Sequence, residues 1–153
     1  MASYEDKFVN SKPIITAWEA YTPTFDNHSG TEIKFYYRRV GDSIEVRGTY
    51  VPQSPAAAVY GLYLPSGLTF SLDNPSGGLS TIIGTIVMGT TTDNDFVIQG
   101  YNGADTIRVG IRNSGAFSPF STLNANAVVG GANLVSVDFK AKITQWQNQG
   151  VSP

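Results

Sequence analysis

Apolar residues recur at every second position through much of this chain. Ile33, Phe35 and Tyr37 alternate with Lys34, Tyr36 and Arg38. Beyond Gly41-Asp42, Ile44, Val46 and Gly48 alternate with Glu45, Arg47 and Thr49. A period of two with one apolar face marks half-buried strands. Gly-Asp between two such runs marks a tight turn that needs positive φ. The pattern predicts a hairpin with arms at residues 32–40 and 43–51. The same period returns late in the chain, within a strand expected over residues 133–146. There Val135, Val137, Phe139, Ala141 and Ile143 share one face, and Asp138, Lys140 and Lys142 the other.

Breakers divide the middle. Val51-Pro52-Gln53-Ser54-Pro55 reads as a loop, because a strand interior does not accept proline. Strands are expected over 57–64 and 68–72, parted by Pro65-Ser66-Gly67, with a loop over 73–78. A long strand over 79–88 carries Gly84, the mark of a bulge or a close backbone contact. Two further strands follow at 95–99 and 105–112, with Ile107, Val109 and Ile111 inward. Residues 113–131 read as irregular, and no helical period stands out. Residues 1–13 read as a lead-in and 14–153 as one domain. Eight or nine short strands with Pro/Gly corners predict an all-β, antiparallel jelly-roll sandwich. An immunoglobulin-like sandwich would need a buried Trp mid-chain, and Trp18 and Trp146 lie near the ends.

Composition narrows the function classes. The 153 residues suit one domain. Charged residues are 14%, against about 25% in an average domain. That argues against a coiled coil. With no cysteine, neither disulfides nor a thiolate zinc site can form. Between Arg47 and Arg108 there is no Lys or Arg, while Asp73, Asp93, Asp95 and Asp105 fall there. Nucleic-acid binding needs cations against phosphates, so no nucleic-acid partner is expected. The cluster Lys34, Arg38, Arg39 and Arg47 is largely cancelled by Glu32, Asp42 and Glu45. No run approaches the roughly 20 apolar residues that span a bilayer, so no membrane insertion is expected. The opening residues carry both charge signs, unlike a secretory leader.

Catalytic and metal signals are weak. The single histidine, His28, has no G-x-S-x-G nucleophile elbow to serve and reads as a turn residue. Asp93-Asn94-Asp95 spaces oxygens like a calcium loop, but without the loop's glycine and closing glutamate it reads as an Asx turn. Asp73, Asp93, Asp95 and Asp105 could pair for glycoside hydrolysis, but all sit in expected turns with no apolar pocket to raise a pKa. No catalytic residue, metal ligand or cofactor is assigned, and the chain is expected not to be an enzyme.

Several blocks carry a family resemblance. They are Trp18 with Tyr21-Thr22-Pro23-Thr24, then Arg38-Arg39-Val40-Gly41-Asp42-Ser43-Ile44-Glu45-Val46, then Leu64-Pro65-Ser66-Gly67-Leu68-Thr69, and the ending Ile143-Thr144-Gln145-Trp146. Together they resemble the C-terminal tip domain of trimeric fibre adhesins, found on bacteriophage tail fibres and in predatory bacteria. The resemblance spans Trp18 to Trp146, but 73–126 contains no segment that matches. It implies a tumour-necrosis-factor-like or complement-head-like jelly roll, a homotrimer, and a receptor-binding tip that adheres to a bacterial surface glycan or envelope protein. It also implies a place on an extracellular fibre, either a cell-surface fibre or a virion tail fibre. Eight Tyr and eight Phe agree with it, since Tyr36, Tyr60, Phe117 and Phe120 exceed what one core absorbs and a symmetric interface would bury them.

Sugars stack on aromatic faces and bond to Asp and Asn. Tyr101-Asn102 beside Asp105 has that composition, as does Asp73-Asn74. Successive loops alternate between the ends of a sandwich, which would gather 26–30, 52–55, 73–78 and 101–105 at one end. The expected ligand residues are therefore Asp26, His28, Asp73, Asn74, Tyr101, Asn102 and Asp105. The alternatives are a structural trimerisation cap that binds nothing, and a surface-polysaccharide depolymerase.

Overall fold

A computed structural model describes residues 14–72, 81–89, 96–111 and 123–147. Its strands are β1 (Glu19–Tyr21), β2 (Phe25–Asp26), β3 (Ser29–Val40), β4 (Ser43–Gln53), β5 (Gly61–Tyr63), β6 (Thr81–Met88), β7 (Phe96–Gly100), β8 (Thr106–Ile111) and β9 (Val135–Lys142). They form one antiparallel sheet in the order β1-β3-β4-β9-β6-β7-β8-β5-β2. The sheet curls, and its two edge strands, β1 and β2, are consecutive in the chain and joined by Thr22-Pro23-Thr24. The protein is all-β, with one short helix, α1 (Ala125–Val129), and a 3-10 turn at Thr144–Trp146.

The core follows the period of two. Phe35 of β3 and Ile44, Val46 and Tyr50 of β4 point inward and are buried. So are Val135, Val137 and Phe139 of β9, and Ile98, Ile107 and Val109 across β7 and β8. Full burial of such side chains stabilises by about 1.5–3 kcal/mol each. The opposite faces of β3, β4, β9 and β6 present Lys34, Tyr36, Arg47, Asp138 and Val87 to solvent. The Gly41-Asp42 turn has Gly41 at φ +63°, as a tight hairpin requires. β6 slips register between Ile82 and Gly84, and a Cβ on Gly84 would lie 2.1 Å from the Asp138 carbonyl oxygen. The bulge and the close backbone approach expected of Gly84 are both present.

Other expectations are corrected. β4 does not stop at Val51: Pro52 lies within it, opposite Gly30. β9 begins opposite Tyr50, so at Pro52 the strand has a neighbour on one side only, which is where proline is tolerated. The strand expected over 57–64 shrinks to β5. That over 68–72 does not form; its only pairing is the single bridge from Phe70 to Ile143. Its backbone bonds loops and strand ends instead: Phe70 N–H donates to the Ala104 carbonyl, Ser71 N–H to that of Lys142, and the Phe70 carbonyl accepts from Gly103 N–H. α1 lies in the stretch read as irregular; it buries Ala125, Val128 and Val129, and five residues are too few to print a helical period. The last strand stops at Lys142. Tyr60, counted as surplus to one core, is wholly buried inside it. Phe117, Phe120 and the lead-in 1–13 lie outside the described residues.

The missing strand moves the 101–105 loop. At one end of the sheet, Ile143 N–H donates to the Asp42 carbonyl, Ile143 bridges to Phe70, and Phe70 bonds the 101–104 turn. At the other end, Ala56 N–H donates to the Asn27 carbonyl and Asn126 N–H to that of Ala56. Residues 26–30 and 52–55 thus share one end, while 101–105 sits at the opposite one. Chain 65–72 stays where β5 left it rather than crossing back.

Candidate functional site

A groove of about 560 Å³ opens between the β1 edge and the loop that follows β5. Ala20, Tyr21, Thr22 and Thr24 form one wall, and Leu64, Pro65, Ser66 and Leu68 the other. Tyr37, Tyr63, Thr69 and Asp105 complete it. Local structure explains the second wall. Gly67 takes φ +85° to close the Pro65-Ser66-Gly67 turn, Leu68 N–H returns to the Pro65 carbonyl at 3.3 Å, and Thr69 N–H is held by the Gln145 side chain at 2.9 Å. Tyr63 N–H donates to the Thr24 carbonyl at 3.0 Å and ties the walls together.

The tyrosines are fixed. Tyr21 meets Phe35 and Tyr37 edge-on, with ring centroids 5.9 and 5.6 Å apart. The Tyr37 hydroxyl donates to Glu19 Oε2 at 2.8 Å. The Tyr63 hydroxyl donates to the Asp26 carboxylate, 3.1 and 3.2 Å from its two oxygens. Both phenols are pushed above the ordinary tyrosine pKa, Tyr37 first by its bond to Glu19 and Tyr63 first by its bond to Asp26, with the Asp105 charge adding to the latter. Arg108 Nη1 lies 3.4 Å from Asp26 Oδ2 and also donates to the Tyr60 carbonyl at 3.2 Å.

The expected ligand residues fare differently. Asp26 is on β2 and Asp105 on the groove, and the charges of both act on Tyr63. Asn102 is committed to structure, its Oδ1 accepting Leu72 N–H at 3.1 Å. Tyr101 is half-buried in the same turn. His28 is not on a rim. It is buried, stacked on Tyr60 at 4.7 Å, with Nε2 3.0 Å from the Tyr50 hydroxyl and Nδ1 2.9 Å from the Asp26 carbonyl. Burial, the largest effect, lowers its pKa. Asp73 and Asn74, like Asp93 and Asp95, lie outside the described residues. Among the described residues no group of three or more His, Asp or Glu gathers to hold a metal ion.

Tyr21, Tyr37, Tyr63 and Thr69 were not among the expected ligand residues. Tyr21 and Thr69 belong to two of the blocks that carry the family resemblance, Tyr21-Thr22-Pro23-Thr24 and Leu64-Pro65-Ser66-Gly67-Leu68-Thr69, which supply the groove's facing walls, while Tyr37 and Tyr63 lie outside both. Comparison with protein-family models, curated proteins and solved structures finds no match to this chain.

Proposed function

We propose that this protein is the receptor-binding tip of a fibre, a homotrimeric jelly roll that adheres to a bacterial surface glycan and cleaves nothing. The observation that carries this reading is the tyrosine-lined groove. Aromatic rings take the CH faces of a pyranose, and the Thr22, Thr24, Ser66 and Thr69 hydroxyls with the Asp105 carboxylate take its hydroxyls. A turn whose backbone is tied down at both walls pre-pays the ordering of such a site. Among the described residues Asp105 is the one carboxylate lining the groove, whereas glycoside hydrolysis uses a pair, which favours binding over cleavage. The trimer is supported by exposed apolar side chains, Ile15 at 60% and Val87 at 65% exposure together with Tyr36 and Leu134, which copies of the chain would cover.

Two measurements test it. An array of bacterial envelope glycans should capture the protein, and Tyr63→Ala should abolish capture while leaving the circular dichroism spectrum intact; an array with no hits ends the binding claim. Light scattering should give three times the chain mass, and a stable monomer at micromolar concentration ends the trimer claim.

A further inference from the structure

The hydrogen-bond polarity of the groove narrows its ligand. This step rests on the glycan-binding reading above and asks which glycan. A phenol carries one proton, and a carboxylate has none to give. The Tyr37 proton is directed at Glu19 and the Tyr63 proton at Asp26. Both phenols are therefore used up as donors, and what their oxygens have left is lone pairs. Asp105 adds a carboxylate, one oxygen of which also accepts the Thr106 hydroxyl at 3.4 Å, and among the described residues no Lys or Arg lines the groove. The backbone donors of the inner wall are also engaged: Tyr63 N–H on Thr24, Leu64 N–H on Asp105, Leu68 N–H on Pro65 and Thr69 N–H on Gln145. The Thr22, Thr24, Ser66 and Thr69 hydroxyls can donate or accept, so the groups of fixed polarity in the groove are acceptors: the two phenol oxygens and Asp105.

Charge points the same way. Arg108 balances Asp26. Among the described residues neither Glu19 nor Asp105 has a salt-bridge partner. An acidic sugar would bring a second set of acceptors and a like charge into this space. A neutral polyol would be accepted through its hydroxyl protons. A sugar ammonium supplies three donors and a compensating charge, and it can lie against a tyrosine face as well as Asp105.

We propose that the groove selects glycans bearing free amino groups, with the ammonium held between Asp105 and the Tyr63 oxygen, and that it discriminates against uronate-bearing and phosphorylated ones. The specificity comes from charge: Asp105 attracts a cation and repels an anion, and among the described residues no Lys or Arg in the lining offsets it.

Calorimetric titration of the full chain with three soluble oligosaccharides of equal length tests this, at about pH 6 where carboxylates are ionised. They are a glucosamine oligomer with free amines, its fully N-acetylated counterpart, and an oligogalacturonate. The expected order is amino over N-acetyl by about tenfold or more, with no detectable uronate binding. Asp105→Asn should remove the amino preference, so that the amino and N-acetyl oligomers bind alike; Glu19→Gln, which keeps a partner for the Tyr37 hydroxyl, should weaken the preference in part. Uronate binding equal to or tighter than amino binding, or an amino preference that survives Asp105→Asn, overturns the proposal while the glycan-binding reading stands. If no oligosaccharide of any charge binds the wild-type chain here or on the array, it is the glycan-binding reading that fails, and this proposal falls with it.

Discussion

Nε2 of His28 accepts the hydroxyl proton of Tyr50 across 3.0 Å. The direction follows from the other side of the ring, where Nδ1 lies 2.9 Å from the Asp26 carbonyl. A carbonyl only accepts, so Nδ1 holds the proton and Nε2 is bare. Tyr50 must then donate, and the Tyr60 hydroxyl, 2.8 Å away, donates in turn to the Tyr50 oxygen. A neutral imidazole thus terminates a one-directional string through the core. Burial holds both phenols far above the ordinary tyrosine pKa and keeps them protonated.

That string makes stability depend on pH. The His28 pKa is lowered in the folded protein, so the unfolded chain takes up a proton first as pH falls. The contribution of the neutral ring is fully present above about pH 6.5, the unfolded value, and is lost as pH drops from there through the folded value. His28 is the chain's one histidine, so its imidazole signals titrate unmixed in an NMR experiment. Denaturant midpoints of the wild type should fall between about pH 7.5 and pH 5.5. His28→Phe should flatten that slope and cost about 1–3 kcal/mol at the upper pH, because Tyr50 loses its acceptor. An imidazole that titrates at or above the ordinary value would refute the neutral-ring assignment.

Two tyrosines should respond oppositely to loss of their hydroxyls. Tyr50→Phe strands both His28 Nε2 and the Tyr60 proton and is expected to destabilise by about 1–3 kcal/mol. Tyr21 keeps its hydroxyl buried with no hydrogen-bond partner. Tyr21→Phe removes that desolvated group and should raise stability by about 1 kcal/mol. Paired urea unfolding curves measure both, and equal losses would show that the Tyr21 hydroxyl is satisfied.

Glycine positions divide by what surrounds them. The Phe35 ring covers Gly48, its cross-strand partner, and a Cβ there would lie 2.3 Å from the ring. Gly48→Ala must push the ring off the core and should cost about 1–3 kcal/mol, with Gly84→Ala at the upper end because the obstacle is backbone. Gly103 has open space but φ +80°, so Gly103→Ala should cost only the strain, about 1 kcal/mol. Thermal unfolding should rank Gly84→Ala as the most destabilised, then Gly48→Ala, then Gly103→Ala.

The Trp18 ring has Arg38 at 4.7 Å and Arg47 at 5.4 Å. Arg38 also donates Nε to Glu45 at 2.7 Å. Lysine reproduces the charge but not the planar fork, so Arg38→Lys should cost about 0.5–1 kcal/mol and shift Trp18 fluorescence, while Lys34→Arg should do neither. An unchanged midpoint would mean that the stack contributes nothing.

The order of hydrophobic and polar residues determined what depends on near neighbours. The β3–β4 hairpin, the inward face of β9, the strands around Ile98 and Val109, and the glycine bulge at Gly84 were all legible, because pleat and turn chemistry act within a few residues. Proline at 52 misled because its tolerance depends on where β9 begins, far along the chain. The stretch from Leu68 to Leu72 has a strand's composition. Only tertiary structure decided that it bonds the 101–104 turn and the end of β9 instead. That choice moved the Asp105 turn to the opposite end from Asp26–Gly30. The groove was out of reach for the same reason. Its walls, Tyr21–Thr24 and Leu64–Thr69, were visible as segments, but they face each other only because the sheet curls until its edges meet, and no local period encodes that closure.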